Sequence, residues 1–352
     1  MDNGQKLVAE SDVLYVSPRL PTTRHTLKSV LEQNDHPAAE PYRGVLAVHF
    51  NPGKFEELSA PLTAALSRTE LQETKCRIGQ LGAELSQADL MHTESLESVV
   101  ASVGGRWLGT MIRDHRLMTY FQPIVECADP AKVFAYECLL RGLQLDGKIV
   151  SPDRLYTTAR DVDQIDLLDH AAKFTHIESA ARFGLRTNIF INFNPSATDD
   201  LDACLNSTLA AIERSGVPAD QFVFEVVESD KIDKTEELRQ ILSRYRQTGF
   251  RIALDDIGSG YNSLNALTLI KPDFIKLDMQ LIRGVHRDPY KSCVAAKLLE
   301  MARDLGVATV AEGVEEPAEW EWVAEHGADF AQGYLFARPA AEPPQPQFRP
   351  ER

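Results

Sequence analysis

Residues 251–278, RIALDDIGSGYNSLNALTLIKPDFIKLD, contain two short apolar strands, RIALDD and DFIKLD, that each end in charged residues. Six further segments of this kind occur from about Met118 onward, and helical patterns lie between most of them. They are TYFQPIV, VFAYECLLR, NIFINFN, QFVFEVV, ATVAEG and DFAQGYLF. Eight strands with about six helices over about 230 residues predict an α/β fold, a TIM-type (β/α)8 barrel. An open, doubly wound sheet is the alternative that the same pattern allows.

The first two of these strands are joined differently from the others. Only the short segment VECADPAK separates their apolar cores, and it leaves no room for a helix. Strands joined by a short turn pair antiparallel, whereas parallel neighbours need a long crossover. The sequence therefore predicts a modified barrel whose first strand runs antiparallel.

Residues 1–92 predict a small α/β N-terminal domain of unknown role. Strands at VLYVS and GVLAVHF alternate with helical patterns, one up to about Gln33 and one from Phe55, in a βαβα-like order. A linker that contains Pro37 and Pro41 precedes the second strand, and residues 71–92 are polar and ambiguous.

Three further segments complete the predicted organisation. Residues 93–115 predict an amphipathic connecting helix, interrupted at Gly104-Gly105, which could link modules, form a dimer seam or simply pack into a core. Residues 112–340 form the predicted barrel. The Pro-rich segment 341–352 is predicted to be a disordered tail.

Composition and charge exclude several classes of protein. The net charge of −15 argues against binding a nucleic-acid polymer through its phosphates. Five scattered cysteines without a CxxC pair argue against a disulfide framework and a structural zinc site. No apolar run approaches the roughly 18 residues of a membrane span, and the N-terminus lacks the layout of a signal peptide. We therefore expect a cytoplasmic protein that makes no membrane contact.

Polar residues recur at the carboxyl ends of the barrel strands, where barrel enzymes place their catalytic groups. They are Glu137, Arg141, Asn192, Glu225, Glu228, Asp255, Asp256, Lys276, Glu312 and Gln332. Each has an ordinary explanation, such as a structural ion pair between Glu137 and Arg141 or a turn at Asp255-Asp256. These explanations do not account for the repetition at one end of one barrel.

Several carboxylates that converge would repel one another unless cations neutralise them. Mg²⁺ and Mn²⁺ prefer oxygen ligands, and these positions offer neither His nor Cys. Two ions bridged by one Asp would clamp a water and a phosphodiester oxygen for in-line displacement. Lys276 would hold or help deprotonate that water, and Arg141 would meet a phosphate. The residues alone predict a two-metal phosphodiester hydrolase.

Eight ordered motifs give the chain a more specific resemblance. They are FQPIV, ECLLRG, INFNPSA, FEVVES, ALDDIGSGYNSL, PDFIKLD, AEGVE and QGYLFARP. Over roughly residues 112–340 the chain resembles the EAL-domain phosphodiesterases, which hydrolyse the bacterial second messenger cyclic di-GMP to linear pGpG.

The resemblance implies a role for each site residue. Glu137, Asn192, Glu225 and Asp255 look like ligands of a first metal ion, Asp255 and Asp256 hold a second, and Glu312 lies nearby. Lys276 corresponds to a water-binding lysine, and Glu228 to a glutamate that steadies the loop over residues 257–263. Gln122, Arg141 and Gln332 match positions at the ligand pocket. The resemblance also implies a homodimer through the barrel.

Three departures from the family are Cys138, the INFNPSA segment and Ile257, which replaces a frequent phenylalanine conservatively. Cys138 replaces the signature alanine and is expected to face the core, although a redox-sensing thiol is the alternative. INFNPSA is unusual after Asn192 but keeps the ligand. A non-catalytic cyclic di-GMP receptor or docking module is the alternative function, and loss of a ligand would favour it. The ligand set is complete, so catalysis is the favoured prediction, and a vestigial scaffold has little support.

Overall fold

A computed structural model describes residues 12–51, 55–80, 93–194, 201–227, 235–258 and 263–348. Its strands are β1 Asp12–Ser17, β2 Ala38–Tyr42, β3 Val45–Phe50, β4 Lys75–Gln80, β5 Glu94–Ser95, β6 Leu117–Glu126, β7 Asp129–Leu143, β8 Ile149–Val150, β9 Asn188–Phe193, β10 Phe222–Val227, β11 Arg251–Ile257, β12 Phe274–Leu277, β13 Ala308–Ala311 and β14 Phe330–Gln332. Its α-helices are α1 Pro21–Gln33, α2 Phe55–Ala65, α3 Arg68–Glu73, α4 Leu96–Arg113, α5 Pro152–Asp161, α6 Ile165–Arg182, α7 Leu201–Ser215, α8 Thr235–Gln247, α9 Ser263–Ile270, α10 Met279–Ile282, α11 Pro289–Leu305 and α12 Pro317–Glu325. None of the helices in these ranges combines the length and the apolar character needed to cross a bilayer.

The chain divides into two compact units. One comprises Met1–Thr110 with Thr157–Asp163, and the other comprises Met111–Tyr156 with Gln164–Arg352. The first unit contains a five-stranded antiparallel sheet in the order β2-β3-β1-β4-β5. Buried leucines of α1 and α2 pack with apolar strand residues in one core cluster.

The order of helices and strands in the first unit differs from the predicted βαβα order. The supposed linker forms strand β2, which pairs with β3 in a hairpin and thereby turns β3 antiparallel to β1. Pro41 lies inside β2. A proline is tolerated there because β2 is an edge strand, so the missing N–H has no partner to lose. The ambiguous segment contains a further strand, β4.

Helix α4 also differs from its prediction. It begins at Leu96, after the two-residue strand β5, and it continues without a break through Gly104-Gly105. A Cβ atom on Gly105 would lie 2.2 Å from Cγ1 of Val162, so close packing explains this glycine. Glycine destabilises a helix by about 1 kcal/mol relative to alanine, but the Cβ of an alanine here would overlap with Val162.

The second unit is a closed eight-stranded barrel. Its strands follow the order β6-β14-β13-β12-β11-β10-β9-β7, and β7 closes the ring by pairing with β6. Strand β6 is antiparallel to both of its neighbours, and the pairs from β7 through β9 to β14 are parallel. The prediction of a modified barrel is confirmed, and an open sheet is excluded. The interior is filled by a compact apolar layer of Ile124, Ala135, Phe190, Val223, Ala253, Phe274 and Val310.

The prediction of a disordered tail is wrong for residues 341–348. The hydroxyl of Tyr136 donates to the carbonyl of Pro344 at 3.1 Å, and the amide of Gln347 donates to the carbonyl of Phe336 at 2.9 Å. The ring of Phe348 packs edge-on against Trp320 and against Phe336. The proline-rich composition predicts only that no helix or strand forms here, and it gives no information about these contacts. Residues 349–352 lie outside the described part.

Candidate active site at the carboxyl ends of the strands

Lys276 is the centre of the candidate site. Strand β12 carries it into the barrel with only 1% of its side chain exposed, and its Nζ contacts four carboxylates. The distances are 2.7 Å to Glu225, 2.7 Å to Glu312, 3.2 Å to Asp255 and 3.7 Å to Glu137. Five sequence-predicted residues from five different strands or strand ends therefore meet at one point.

Strand pairing places the remaining predicted residues around this centre. Gln122 on β6 is paired directly with Glu137 on β7, and Asn192 on β9 is paired with Glu225 on β10. Residues paired directly across two strands present their side chains on the same face of the sheet. Gln122 and Asn192 therefore share the inner face of the barrel with Glu137 and Glu225.

A β-bulge brings Asp255 and Asp256 to the same cluster. Successive strand residues normally point to opposite faces. Here the pairing of β11 with β12 shifts between Leu254 and Ile257, and Asp256 adopts a left-handed φ of 58°. Carboxylate oxygens of Asp255, Asp256 and Glu312 consequently lie within 4.8 Å of one another. Bulges beside active sites commonly re-aim a side chain in this way.

Gln332 at the end of β14 completes the ring of contacts. Its Nε2 donates to Oε2 of Glu137 at 2.6 Å. The following glycine is required by packing, because a Cβ on Gly333 would lie 1.9 Å from the carbonyl oxygen of Val314. The glycine lets the two backbone segments touch, and this contact fixes the position of Gln332.

The site contains more acidic groups than basic groups. Burial alone would lower the pKa of Lys276, but the surrounding carboxylates raise it well above its ordinary value, so the ammonium is charged at neutral pH. Burial raises the pKa of Glu225 well above its usual value and that of Glu312 to about 8, despite the nearby Lys276. Burial and then the charge of Asp255 raise the pKa of Asp256 to about 6. One ammonium cannot compensate for all of these acids.

The donor set fits hard divalent cations. Oε2 of Glu225 is fully buried, and no described residue donates a hydrogen bond to it. The candidate ligands offer only carboxylate and amide oxygens, the atoms that Mg²⁺ and Mn²⁺ prefer. The site therefore fits the oxygen-ligated cations expected from the sequence.

Arg141 lies at the end of β7 without the ion pair to Glu137 that the sequence allowed. Its guanidinium carbon stands 5.1 Å from the centre of the Tyr120 ring, a contact that the sequence reasoning missed. The signal for Tyr120 was present, because it lies two residues before Gln122 and so shares its face of β6.

Glu228 lies outside the described residues, so its predicted role stays a prediction. Cys138 is fully buried in the core cluster outside the barrel interior, as expected. Burial raises the pKa of its thiol well above the ordinary value, which disfavours a reactive thiolate.

Comparison with known proteins identifies the barrel. The family model of the EAL domain matches residues 106–339, more than half of the chain. The chain belongs to the EAL family. This confirms the resemblance seen in its sequence motifs, and the EAL barrel carries every described residue of the candidate site.

Two relatives of this EAL chain carry names of cyclic di-GMP phosphodiesterases. It is 31% identical over 231 residues to the probable cyclic di-GMP phosphodiesterase PdeB of Escherichia coli (strain K12), over 64% of the chain and 43% of that protein. It is 28% identical over 236 residues to the cyclic di-GMP phosphodiesterase NbdA of Pseudomonas aeruginosa, over 65% of the chain and 29% of that protein. The chain thus spans less than half the length of either relative.

A solved structure of an EAL protein shows the same architecture. The crystal structure of a standalone versatile EAL protein from Vibrio cholerae O395, in its c-di-GMP bound form, is 34% identical with a TM-score of 0.60. The likeness covers 66% of this chain and 95% of that one. The shared fold therefore extends over nearly the whole of that protein.

Proposed function

We propose that the EAL barrel hydrolyses cyclic di-GMP to linear pGpG. The observation that carries this proposal is the convergence of Glu137, Glu225, Asp255 and Glu312 on Lys276 at the mouth of a closed barrel. Related EAL proteins are named as cyclic di-GMP phosphodiesterases, which supports the choice of substrate. A complete set of acidic ligands favours catalysis over a receptor that only binds the nucleotide.

Two Mg²⁺ or Mn²⁺ ions are part of the proposal. Glu137, Asn192, Glu225 and Asp255 would hold the first, and Asp255 with Asp256 would hold the second, with Glu312 beside them. Bound ions would polarise the scissile phosphate and lower the pKa of an attacking water. The crowding of buried carboxylates and the unpartnered Oε2 of Glu225 support this assignment.

The remaining roles follow from the charges of the chain's own residues. The surrounding carboxylates raise the pKa of Lys276, and its ammonium can donate hydrogen bonds that hold the attacking water. Gln332 fixes the carboxylate of Glu137 through its 2.6 Å hydrogen bond. Arg141 presents its guanidinium to a phosphate of the substrate. Gln122 lies beside Glu137 as a further pocket residue.

A direct assay tests this function. The purified chain with Mg²⁺ or Mn²⁺ should convert cyclic di-GMP to pGpG, and Glu137→Gln should abolish conversion while the fold is retained. Cys138→Ala is the matched control, since it changes the adjacent residue on the opposite face of the same strand. Ca²⁺ should support the reaction poorly because it tolerates looser coordination than Mg²⁺. Near-full turnover by Glu137→Gln would refute the ligand assignment.

Two broader expectations are proposals as well. We infer that the protein is cytoplasmic. We also infer a homodimer that associates through the barrel, since Leu264 and Met279 expose large apolar side chains on α9 and α10. Light scattering of the purified protein, with Leu264→Glu as the disruptive variant, tests the dimer. The N-terminal segment 1–92 is proposed to regulate the barrel, which a comparison of the full chain with a variant starting at Met111 would test.

A further inference from the structure

We propose that Tyr120 is a positioning residue that holds Arg141 in place for a phosphate of the substrate. The inference rests on the proposed function, because it concerns the same pocket. In the sequence, only the position of Tyr120 two residues before Gln122 connects it with the site. Its significance comes from the arrangement around the Arg141 guanidinium.

Strand register places the two side chains together. Tyr120 on β6 is paired with Leu139 on β7, and Met118 is paired with Arg141, so Tyr120 and Arg141 are diagonal neighbours across an antiparallel pair. Diagonal neighbours lie within reach of aromatic and long side chains. The guanidinium carbon is 5.1 Å from the ring centre, inside the range of a cation–π contact.

Arg141 keeps most of its hydrogen-bonding capacity. Its Nη1 donates to the carbonyl of Leu140 at 2.8 Å. Among the described residues, no carboxylate lies within ion-pair distance of it, while Glu137 is engaged by Gln332 and Lys276. A guanidinium has five N–H donors, so several remain for an anion.

An aromatic ring suits this task better than a carboxylate would. A carboxylate would neutralise Arg141 and occupy the same forked donors that a phosphate needs. The face of a ring restrains the guanidinium plane through its quadrupole and consumes no donor. Preorganisation of this kind reduces the side-chain entropy that binding would otherwise cost. Tyr120 thus holds the arginine without competing with the phosphate.

The test is a double-mutant cycle on binding and turnover. Tyr120→Leu removes the ring, Tyr120→Phe keeps it, and each is combined with Arg141→Ala. We measure the KM and kcat of pGpG formation and, by calorimetry with Ca²⁺, the Kd of cyclic di-GMP. Tyr120→Met serves as a second ring-free variant if thermal unfolding shows that Tyr120→Leu is misfolded.

Loss of the ring should raise KM and Kd roughly two- to tenfold, the range expected when one long side chain must be ordered on binding, with little change in kcat. Tyr120→Phe should restore most of the affinity that Tyr120→Leu loses. In the Arg141→Ala background, loss of the ring should cost nothing further. An equal loss in that background, a Tyr120→Phe as weak as Tyr120→Leu, or an unchanged KM and Kd would each overturn the proposal.

The same data separate this inference from the proposed function. If the wild type binds cyclic di-GMP without cleaving it, the hydrolase proposal fails, and the cycle on Kd still decides the role of Tyr120. If the wild type hydrolyses the nucleotide and the cycle shows no coupling between Tyr120 and Arg141, only the positioning role fails. If it neither binds nor cleaves the nucleotide, both fail.

Discussion

Binding of a divalent cation should release about one proton from the site near pH 7. A group with the pKa of Glu312, about 8, is roughly nine-tenths protonated at pH 7, and Asp256, with a pKa of about 6, is roughly one-tenth protonated. Cations take carboxylates in their charged form, so these protons must leave. Glu225, whose pKa is also raised, can only add to the number.

The sign of the pH dependence follows directly. Because a proton leaves when the cation binds, higher pH favours binding, and affinity should fall at least about tenfold when the pH drops from 7 to 6. Calorimetric titration with Mn²⁺ in buffers of different ionisation enthalpy counts the protons released. Glu312→Gln should release about nine-tenths of a proton less than the wild type. A wild-type heat that does not depend on the buffer would refute the account of the charges.

Three further outcomes are expected. Burial lowers the pKa of His176 to about 3, whereas an unperturbed histidine has a pKa of about 6.5. Below pH 6.5 the unfolded chain therefore binds more protons than the folded chain. The free energy of unfolding should fall by about 2 kcal/mol between pH 7 and pH 5, relative to the His176→Asn variant. Equal pH slopes in urea unfolding would contradict this. Ending the chain at residue 340 should expose Phe336 and lower Tm by roughly 4–8 °C, for about 2 kcal/mol of lost burial; an unchanged Tm in calorimetry would show that the tail contacts contribute nothing. Cys138→Ala should keep kcat/KM within about twofold because the thiol is buried in the core, and peroxide inhibition that disappears in this variant would instead reveal a redox role.

The barrel and the position of its site were predictable because the two are linked by simple rules. Apolar strands that end in polar residues meet at one edge when the strands run parallel. Glu137, Glu225 and Lys276 were each recognisable as charges that interrupt apolar strands. A hairpin too short for a helix likewise determined the direction of β6.

Other features depend on backbone conformation that the residue pattern does not reveal. Two successive aspartates would normally face opposite sides of a strand, and only the left-handed conformation of Asp256 brings both to the site. Pro41 indicated a linker, yet an edge strand accommodates it. The contact of Tyr120 with Arg141 depends on the exact register of two strands, which one residue of slippage would abolish.

The contacts of Lys276 also bear on the order in which folding and metal binding are expected to occur. Small zinc domains remain unfolded until their metal arrives, because nothing else holds their ligands together. Here an internal ammonium already contacts four carboxyl groups from distant parts of the chain. We therefore expect the barrel to fold without metal and to take up the proposed ions afterwards. Loading would then be a reversible exchange with the surrounding ion pool, and the proposed activity would follow metal supply without unfolding of the protein.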